Sequence, residues 1–283
     1  PPIRVFGTVG FICTMITVSL IGVEATSGQF AISGGIGLLL ALYAQTLPHC
    51  PTAPKGEGKG LVEALGLKAF ALFKERKMAL FFVFSMFLGV SLQITNGFAN
   101  PFISSFGEIP AYAETFGVKH ANILISLSQL SETLCILLIP FALRRFGIKI
   151  VMLIAMLAWV LRFAFLGLGD PGAGVWLFLL SMVVYGVAFD FFNVSGSLFV
   201  DKETDPTIRS SAQGLFMIMT NGIGATLGSL GAQAVISHFV YSEHDVYARL
   251  AGWSLSWYLF AAYAAIVAVL FAVLFRYRAD RAR

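Results

Sequence analysis

Eight long apolar segments constrain the fold of this sequence more than any other feature. A membrane-spanning helix needs about 20 apolar residues, and a barrel strand needs only about 10. The segments are of helical length and do not alternate between apolar and polar residues. Because a lipid-embedded backbone must pair its own polar groups, only helices and closed barrels remain possible. The sequence therefore predicts an all-α membrane protein, with spans near residues 5–23, 30–46, 78–98, 121–143, 150–168, 175–194, 212–239 and 253–275.

Composition favours lipid as the solvent of this chain. Hydrophobic residues make up 58% of the 283 residues and charged residues only 12%, and the mean hydropathy is +0.83. Soluble domains carry about twice that charged fraction. The net charge of +4 is concentrated between the apolar segments, which indicates membrane topology and not nucleic-acid binding.

The basic residues predict the orientation of the spans. Cytoplasmic loops of membrane proteins are enriched in Lys and Arg. Of the 19 basic residues, 16 lie at the two chain ends and in every second connection between spans. The other connections hold only Lys119 and Arg249, and Arg162 lies inside a span. Both chain ends and the loop 48–77 are therefore predicted to be cytoplasmic. The 16 residues are Arg4, Lys55, Lys59, Lys68, Lys74, Arg76, Lys77, Arg144, Arg145, Lys149, Lys202, Arg209, Arg276, Arg278, Arg281 and Arg283.

The loop 48–77 divides the chain into two spans and six spans. Its first part, 51–60, is rich in Pro, Gly and Lys and is typical of a flexible linker. In its second part, Leu61, Leu65, Ala69 and Leu72 fall on one helical stripe. This pattern predicts an amphipathic helix over 61–77 that lies along the inner membrane surface.

Reactive residues give enzymatic chemistry no evident site. The three cysteines have no metal-ligand spacing, and the four histidines fall in loops or at span ends, so we expect no metal, no cofactor and no catalytic residues. An intramembrane enzyme is the least favoured class. These residues are Cys13, Cys50 and Cys135, and His49, His120, His238 and His244.

Polar side chains inside the spans are costly to place in lipid and therefore mark candidate functional positions. Three spans each carry two polar residues three positions apart, on one helical face. Facing one another, these stripes would line a polar cavity. The alternative for any single amide is a structural role, in which it forms a hydrogen bond to a neighbouring helix. The three pairs are Gln93 with Asn96, Gln129 with Glu132, and Asp190 with Asn193.

Two mid-span carboxyl groups, Glu132 and Asp190, are the candidates for proton coupling. Burial disfavours the charged form of a carboxyl group, so a change in water access could make either one bind or release a proton. The alternative is a structural pair with Arg162. Arg162 itself could also extend to the outer interface as an anchor.

The first span adds three candidate contacts to a polar, planar solute. Arg4, Thr8 and Phe11 occupy positions i, i+4 and i+7 and share one face of a helix. Phe189, beside Asp190, offers a second aromatic ring. The alternatives are a cytoplasmic anchor for Arg4 and ordinary packing for Phe189.

Several stretches resemble the nucleoside:proton symporters of the major facilitator superfamily, the nucleoside permease and xanthosine permease group of Gram-negative inner membranes. They cover nearly the whole chain and occur in the same order as in that family. The stretches are PPIRVFGTVGF (1–11), LQITNGFAN (92–100), SLSQLSETL (126–134), RRFGIK (144–149), VVYGVAFDFFNVSGSLFV (183–200) and RSSAQGLFMIMTNG (209–222).

The resemblance implies a partial major facilitator fold, in which this chain corresponds to helices five to twelve of twelve. Residues 1–47 would be the last two helices of the N-terminal bundle, 48–77 the cytoplasmic linker, and 78–283 the complete C-terminal six-helix bundle. Since the chain starts with Pro1-Pro2 and not Met, we expect a fragment of a longer protein that does not transport by itself.

The resemblance also implies the function and the site. We expect proton-coupled nucleoside uptake across the inner membrane by alternating access, with nucleosides and protons as partners, no nucleic acid, and a monomer in the bilayer. The alternative is another major facilitator carrier of a polar solute such as a sugar; a drug exporter should have a more apolar cavity. The substrate-binding residues implied by motif are Arg4, Thr8, Phe11, Gln93, Asn96, Gln129, Glu132, Phe189 and Asp190.

Overall fold

The computed structural model describes residues 2–23, 26–48 and 66–277, and the regular structure in these ranges is helical. Five of the helices are long and apolar enough to cross a membrane, while Val9–Leu20 and Gly28–Ala44 are shorter apolar helices. The all-α prediction is confirmed, and the count of eight spans stays a prediction. The helices are α1 (Pro2–Leu20), α2 (Gly28–Ala44), α3 (Arg76–Ser105), α4 (Ala121–Leu168), α5 (Val175–Glu203), α6 (Arg209–Tyr241) and α7 (Val246–Leu274).

Helix α4 contains two of the predicted spans. Gly147 interrupts it with φ 76° and ψ 167°, a conformation that only glycine adopts without strain. Arg162 lies 3.5 Å from Ser128 (Nη1 to Oγ), although 34 residues of straight helix would separate them by about 51 Å. The two arms of α4 therefore run back against each other, and the reversal lies within the basic stretch 144–149.

Other helices extend beyond their predicted apolar segments. α3 continues from the predicted end at 98 to Ser105, and α5 from 194 to Glu203. The apolar pattern marks only the length of a helix that lies within the bilayer core, whereas the hydrogen-bonded helix continues into its polar ends. α2 has no buried residue, so its apolar side chains contribute nothing to the core of the bundle.

Close backbone contacts hold the bundle together at two glycines. A Cβ on Gly186 of α5 would lie 2.5 Å from the carbonyl oxygen of Ser131 in α4. A Cβ on Gly89 of α3 would overlap the carbonyl oxygen of Thr220 in α6. At Thr220, α6 widens into a π-helical turn over Ile218–Gly224. Small residues allow this approach, which is a common way to pack helices in membranes.

Polar contacts at the helix ends place alternate loops together. At one end, Lys77 at the start of α3 pairs with Glu203 at the end of α5, and the Nζ of Lys149 donates to the carbonyl of Ala272 at 3.2 Å. At the other end, Glu108 pairs with Arg249. The basic connections between spans, which the sequence predicts to share one side of the membrane, thus lie at one end of the bundle.

The described part of the predicted amphipathic segment forms a 3₁₀ helix, Leu67–Lys74. Ala69 and Leu72 of the predicted stripe are buried in the core, while 49–65 lie outside the described residues. Ala69 and Leu72 therefore pack onto the protein.

The α4–α5 contact can be tested by Gly186→Ala. The added methyl group must push two backbones apart, and overpacking of this kind costs about 1–3 kcal/mol. We expect a lower thermal midpoint, measured as loss of the monodisperse peak in detergent. Gly231→Ala is the matched control, since a Cβ there meets nothing within 4 Å. An unchanged midpoint for Gly186→Ala would show that α4 and α5 are not in close contact at Ser131 and Gly186.

Candidate functional site

A polar cavity of ≈ 320 Å³ lies between four helices, α1, α3, α4 and α5. This size is at the lower end of the range of small-molecule pockets, which begins at about 300 Å³. Its wall is unusually polar for the interior of a membrane bundle, with three asparagines, a glutamine, three hydroxyl-bearing residues and an arginine. The wall consists of Phe11, Met15, Thr95, Asn96, Ala99, Asn100, Asn122, Ile125, Ser128, Gln129, Arg162 and Tyr185.

Three of the residues proposed from the sequence lie in this wall. α1 contributes Phe11, α3 contributes Asn96 and the first arm of α4 contributes Gln129. The side chains of Phe11 and Asn96 are exposed and that of Gln129 is half-buried, so all three remain accessible to a solute. One aromatic ring and two amides from three helices therefore face one hollow.

Tyr185 connects the cavity wall to the two candidate carboxylates. Its side chain is in hydrogen-bonding contact with Gln129 and within electrostatic range of both Glu132 and Asp190. Its ring stacks on that of Phe189, with centroids 5.8 Å apart and an interplanar angle of 9°. The polar groups at the cavity and the carboxylates behind it thus form one connected cluster.

Glu132 and Asp190 are both buried, with exposed fractions of 8% and 0%. Glu132 follows Ser131 in α4, and the backbone of Ser131 is the part of α4 that Gly186 of α5 approaches. The hydroxyl of Ser131 also donates to the carbonyl of Val183. The close approach of α4 and α5 therefore brings the two carboxylates toward the same layer of the bundle, away from lipid.

Arg162 is a buried component of the wall, with 1% of its surface exposed. Its Nη1 donates to the carbonyl oxygen of Ser181 at 2.6 Å, and its Nε donates to Oγ1 of Thr95 at 3.4 Å. The guanidinium carbon lies 4.5 Å from the ring centroid of Tyr185, a cation–π contact. The suggestion that Arg162 extends to the outer interface is wrong, because its charge is better solvated by these interior partners.

Gln93 and Phe189 are not among the described residues that line the cavity. Gln93 is half-buried and packs on α6. A Cβ built on Gly228 of α6 would lie 3.0 Å from the Cβ of Gln93. Phe189 contacts the site through Tyr185. Arg4 and Thr8 belong to α1, and their side chains lie outside the described residues. The assignment of the binding residues therefore stays a prediction.

Sequence reasoning missed the central position of Tyr185. A tyrosine in an apolar span is ordinary, but Tyr185 lies four residues before Phe189, and this spacing puts the two rings on one helical face. Asn122 and Ser128 were also missed. Asn122 lies 2.7 Å from Asn100 (Oδ1 to Nδ2), and this contact joins the wall residues of α3 and α4.

The sequence model of one protein family, described as "Nucleoside H+ symporter", matches residues 1–280 of this chain. The chain belongs to the nucleoside H+ symporter family. The family resemblance inferred from the sequence motifs is thereby confirmed.

Two relatives in Escherichia coli (strain K12) give the extent of the match. Xanthosine permease is 52% identical over 281 residues, which are 99% of this chain and 66% of that protein. The nucleoside permease NupG is 49% identical over 279 residues, which are 98% of this chain and 65% of that protein. The chain thus spans about two thirds of the length of these symporter-family relatives.

Solved structures of NupG have the same fold as this chain. A point mutant of the nucleoside transporter NupG superposes with a TM-score of 0.90 at 48% identity, covering 98% of this chain and 67% of that one. A second NupG structure gives a TM-score of 0.86 at the same identity and coverage. The prediction of a major facilitator fold is confirmed, and the chain is a multi-pass helical membrane protein.

The structural role of Arg162 can be tested by Arg162→Met and Arg162→Lys. Methionine leaves the Ser181 carbonyl without its donor, and a buried group left unsatisfied costs about 1–3 kcal/mol. Lysine keeps the charge but loses the planar group that stacks on Tyr185. We expect both variants to lower the thermal midpoint in detergent. The exposed Arg144 provides the control, Arg144→Met, which should leave it unchanged; equal midpoints for all three variants would contradict the assignment.

Proposed function

We propose that the protein carries out proton-coupled nucleoside uptake across the bacterial inner membrane by alternating access. The observation that carries the proposal is the polar cavity between α1, α3, α4 and α5, found in a chain of the nucleoside H+ symporter family. The relatives named xanthosine permease and nucleoside permease suggest the same class of substrate. In this proposal, the cavity is exposed to each side of the membrane in turn as the helices on either side of it rock.

Amide side chains suit recognition of a nucleoside. Asn96 and Gln129 can each donate and accept hydrogen bonds, and both the base and the ribose present donors and acceptors. Phe11 offers an aromatic face on which any nucleobase can stack, so this contact favours breadth over selectivity. The proposed binding set is completed by Gln93, Arg4, Thr8 and Phe189, and by Glu132 and Asp190, whose carboxyl groups would accept hydrogen bonds from sugar hydroxyls.

The proton is proposed to bind at Glu132 or Asp190. Both groups are buried, and Tyr185 lies between them and Gln129. Burial favours the neutral carboxyl group and water access favours the charged one. Opening of the cavity to one side would therefore release the proton there, and substrate bound at Gln129 would lie one helical turn from Glu132.

The topology belongs to the same proposal. The basic end of the bundle, which carries Lys77, Lys149 and Arg276, is placed in the cytoplasm by the distribution of Lys and Arg. Both chain ends and the 48–77 linker then face the cytoplasm, with 1–47 in one bundle and 78–283 in the other. The carrier is proposed to work as a monomer in the lipid bilayer.

Proton coupling can be tested with Glu132→Gln and Asp190→Asn in the complete reading frame that encodes this chain. Each variant keeps the shape of the side chain and removes its ability to ionise. We expect the coupling residue to lose accumulation of labelled uridine against a gradient while it retains exchange of uridine at equilibrium. The assay uses cells without other nucleoside permeases, with and without a protonophore. Normal, protonophore-sensitive accumulation by both variants would exclude the coupling role.

Substrate class can be tested with Asn96→Ala and Gln129→Ala. Loss of one hydrogen bond costs about 0.5–1.5 kcal/mol, so we expect the KM for uridine to rise roughly threefold to tenfold per variant. Gln233→Ala, which removes an exposed amide of α6 outside the cavity wall, is the control. Unlabelled nucleosides should compete with uridine uptake and unlabelled sugars should not. Competition by sugars alone would favour the alternative carrier.

A further inference from the structure

A second cavity lies at the basic end of the bundle, between the first turn of α3 and the last turn of α7. Its volume is ≈ 450 Å³, so it is larger than the polar cavity in the interior. Three basic and four apolar residues line it, and no acidic residue is among them. The lining residues are Arg76, Lys77, Leu80, Val273, Leu274, Phe275 and Arg276.

Two of the three cations at this cavity have no counter-ion in the part of the chain that the structure describes. Lys77 pairs with Glu203 and lies 5.7 Å from the ring centroid of Tyr277. Arg76 and Arg276 are exposed, and neither takes part in an ion pair within 2–23, 26–48 and 66–277. The cavity therefore presents two uncompensated guanidinium groups, one at the start of α3 and one just after the end of α7.

The start of α3 adds to the attraction for an anion. Its first turn, which begins at Arg76, contains no acidic residue, and the exposed Glu75 at the N-cap position makes no capping hydrogen bond to it. The backbone N–H groups of a helical first turn point outward and carry a partial positive charge. An anion bound between Arg76 and Arg276 would thus also face the positive end of the α3 dipole.

The apolar side of the cavity continues along the outer surface of α7. Val273 is 63% exposed and Val269 is 62% exposed, and they lie four residues apart on one face of the helix. Leu80 of α3 forms the other side of the cavity. A ligand with a charged head and a long apolar tail would therefore match the cavity and the surface next to it.

We propose that this cavity, the α3–α7 cleft, is a binding site for an anionic glycerophospholipid. Arg76 and Arg276 bind the phosphate of the headgroup, with bidentate hydrogen bonds that suit guanidinium groups. The acyl chains lie along Leu80, Val273 and Val269. Basic pockets between transmembrane helices on the cytoplasmic side commonly bind such headgroups. The inference does not depend on the transported substrate.

Native mass spectrometry of the purified chain in detergent tests the site, with phosphatidylglycerol as the anionic probe and phosphatidylcholine as the zwitterionic one. We expect phosphatidylglycerol to bind more tightly. Arg76→Gln combined with Arg276→Gln should weaken it about thirtyfold, since two surface cations at about 1 kcal/mol each are removed, and should leave phosphatidylcholine unchanged. Arg76→Lys combined with Arg276→Lys should restore most of the binding.

The matched control is Arg144→Gln combined with Arg145→Gln, which removes two exposed arginines from another part of the basic end. This variant should still bind phosphatidylglycerol. An equal loss of affinity would show that the lipid is held by general charge attraction, and would overturn the proposed site. Equal binding of both lipids would overturn it too. Displacement of phosphatidylglycerol by excess inorganic phosphate would show that the cleft binds the free anion, and would overturn the proposal of a lipid site.

Hydrogen exchange of the unaltered chain in nanodiscs provides a readout that does not depend on how the variants fold. Compared with phosphatidylcholine nanodiscs, phosphatidylglycerol nanodiscs should slow backbone exchange at 76–80 and 273–277. Slower exchange at 144–149 and not at these two segments would contradict the proposal.

Discussion

A polar side chain inside a helical bundle that faces lipid has no bulk water to bind, so neighbouring helices must supply its partners. Arg162 shows this constraint most clearly. Its guanidinium group is solvated by the Ser181 carbonyl, by Thr95 and by the ring of Tyr185. These partners come from α3 and α5, so the position of one charge depends on how three helices pack. The polar cavity lies next to this arrangement and shares Arg162, Thr95 and Tyr185 with it.

The packing itself depends on where backbones can come close together. Gly186 lets α5 approach the backbone of α4 at Ser131, and Gly89 lets α3 approach α6 at Thr220. The first contact lies next to Glu132 and four residues before Asp190 in sequence, so it holds together the parts of α4 and α5 that carry the two carboxylates. The apolar remainder of the bundle is filled by aromatic rings such as Phe81, Phe199 and Phe216. Small residues thus determine where the polar groups meet, and large ones fill the rest.

Charge separates the two cavities into different kinds of site. In the inner one, Arg162 is already bound by protein groups, and the accessible groups are amides and an aromatic ring, which suit a neutral polar solute. In the α3–α7 cleft, Arg76 and Arg276 are exposed and uncompensated within the described residues, which suits an anion at the membrane surface. The same residue type therefore has a structural role at the centre of the bundle and a binding role at its end.

The sequence by itself determined the helical class, the membrane environment and the family, because long apolar segments and ordered motifs are local properties of the chain. It also predicted Phe11, Asn96 and Gln129 as site residues from their helical spacing, and these three line the cavity. Only the tertiary structure decided that Arg162 is buried, that Tyr185 joins Gln129 to the carboxylates, and that Gln93 packs on α6. These depend on residues tens of positions apart in sequence and on the rotation of each helix about its axis, which an almost uniformly apolar helix does not encode.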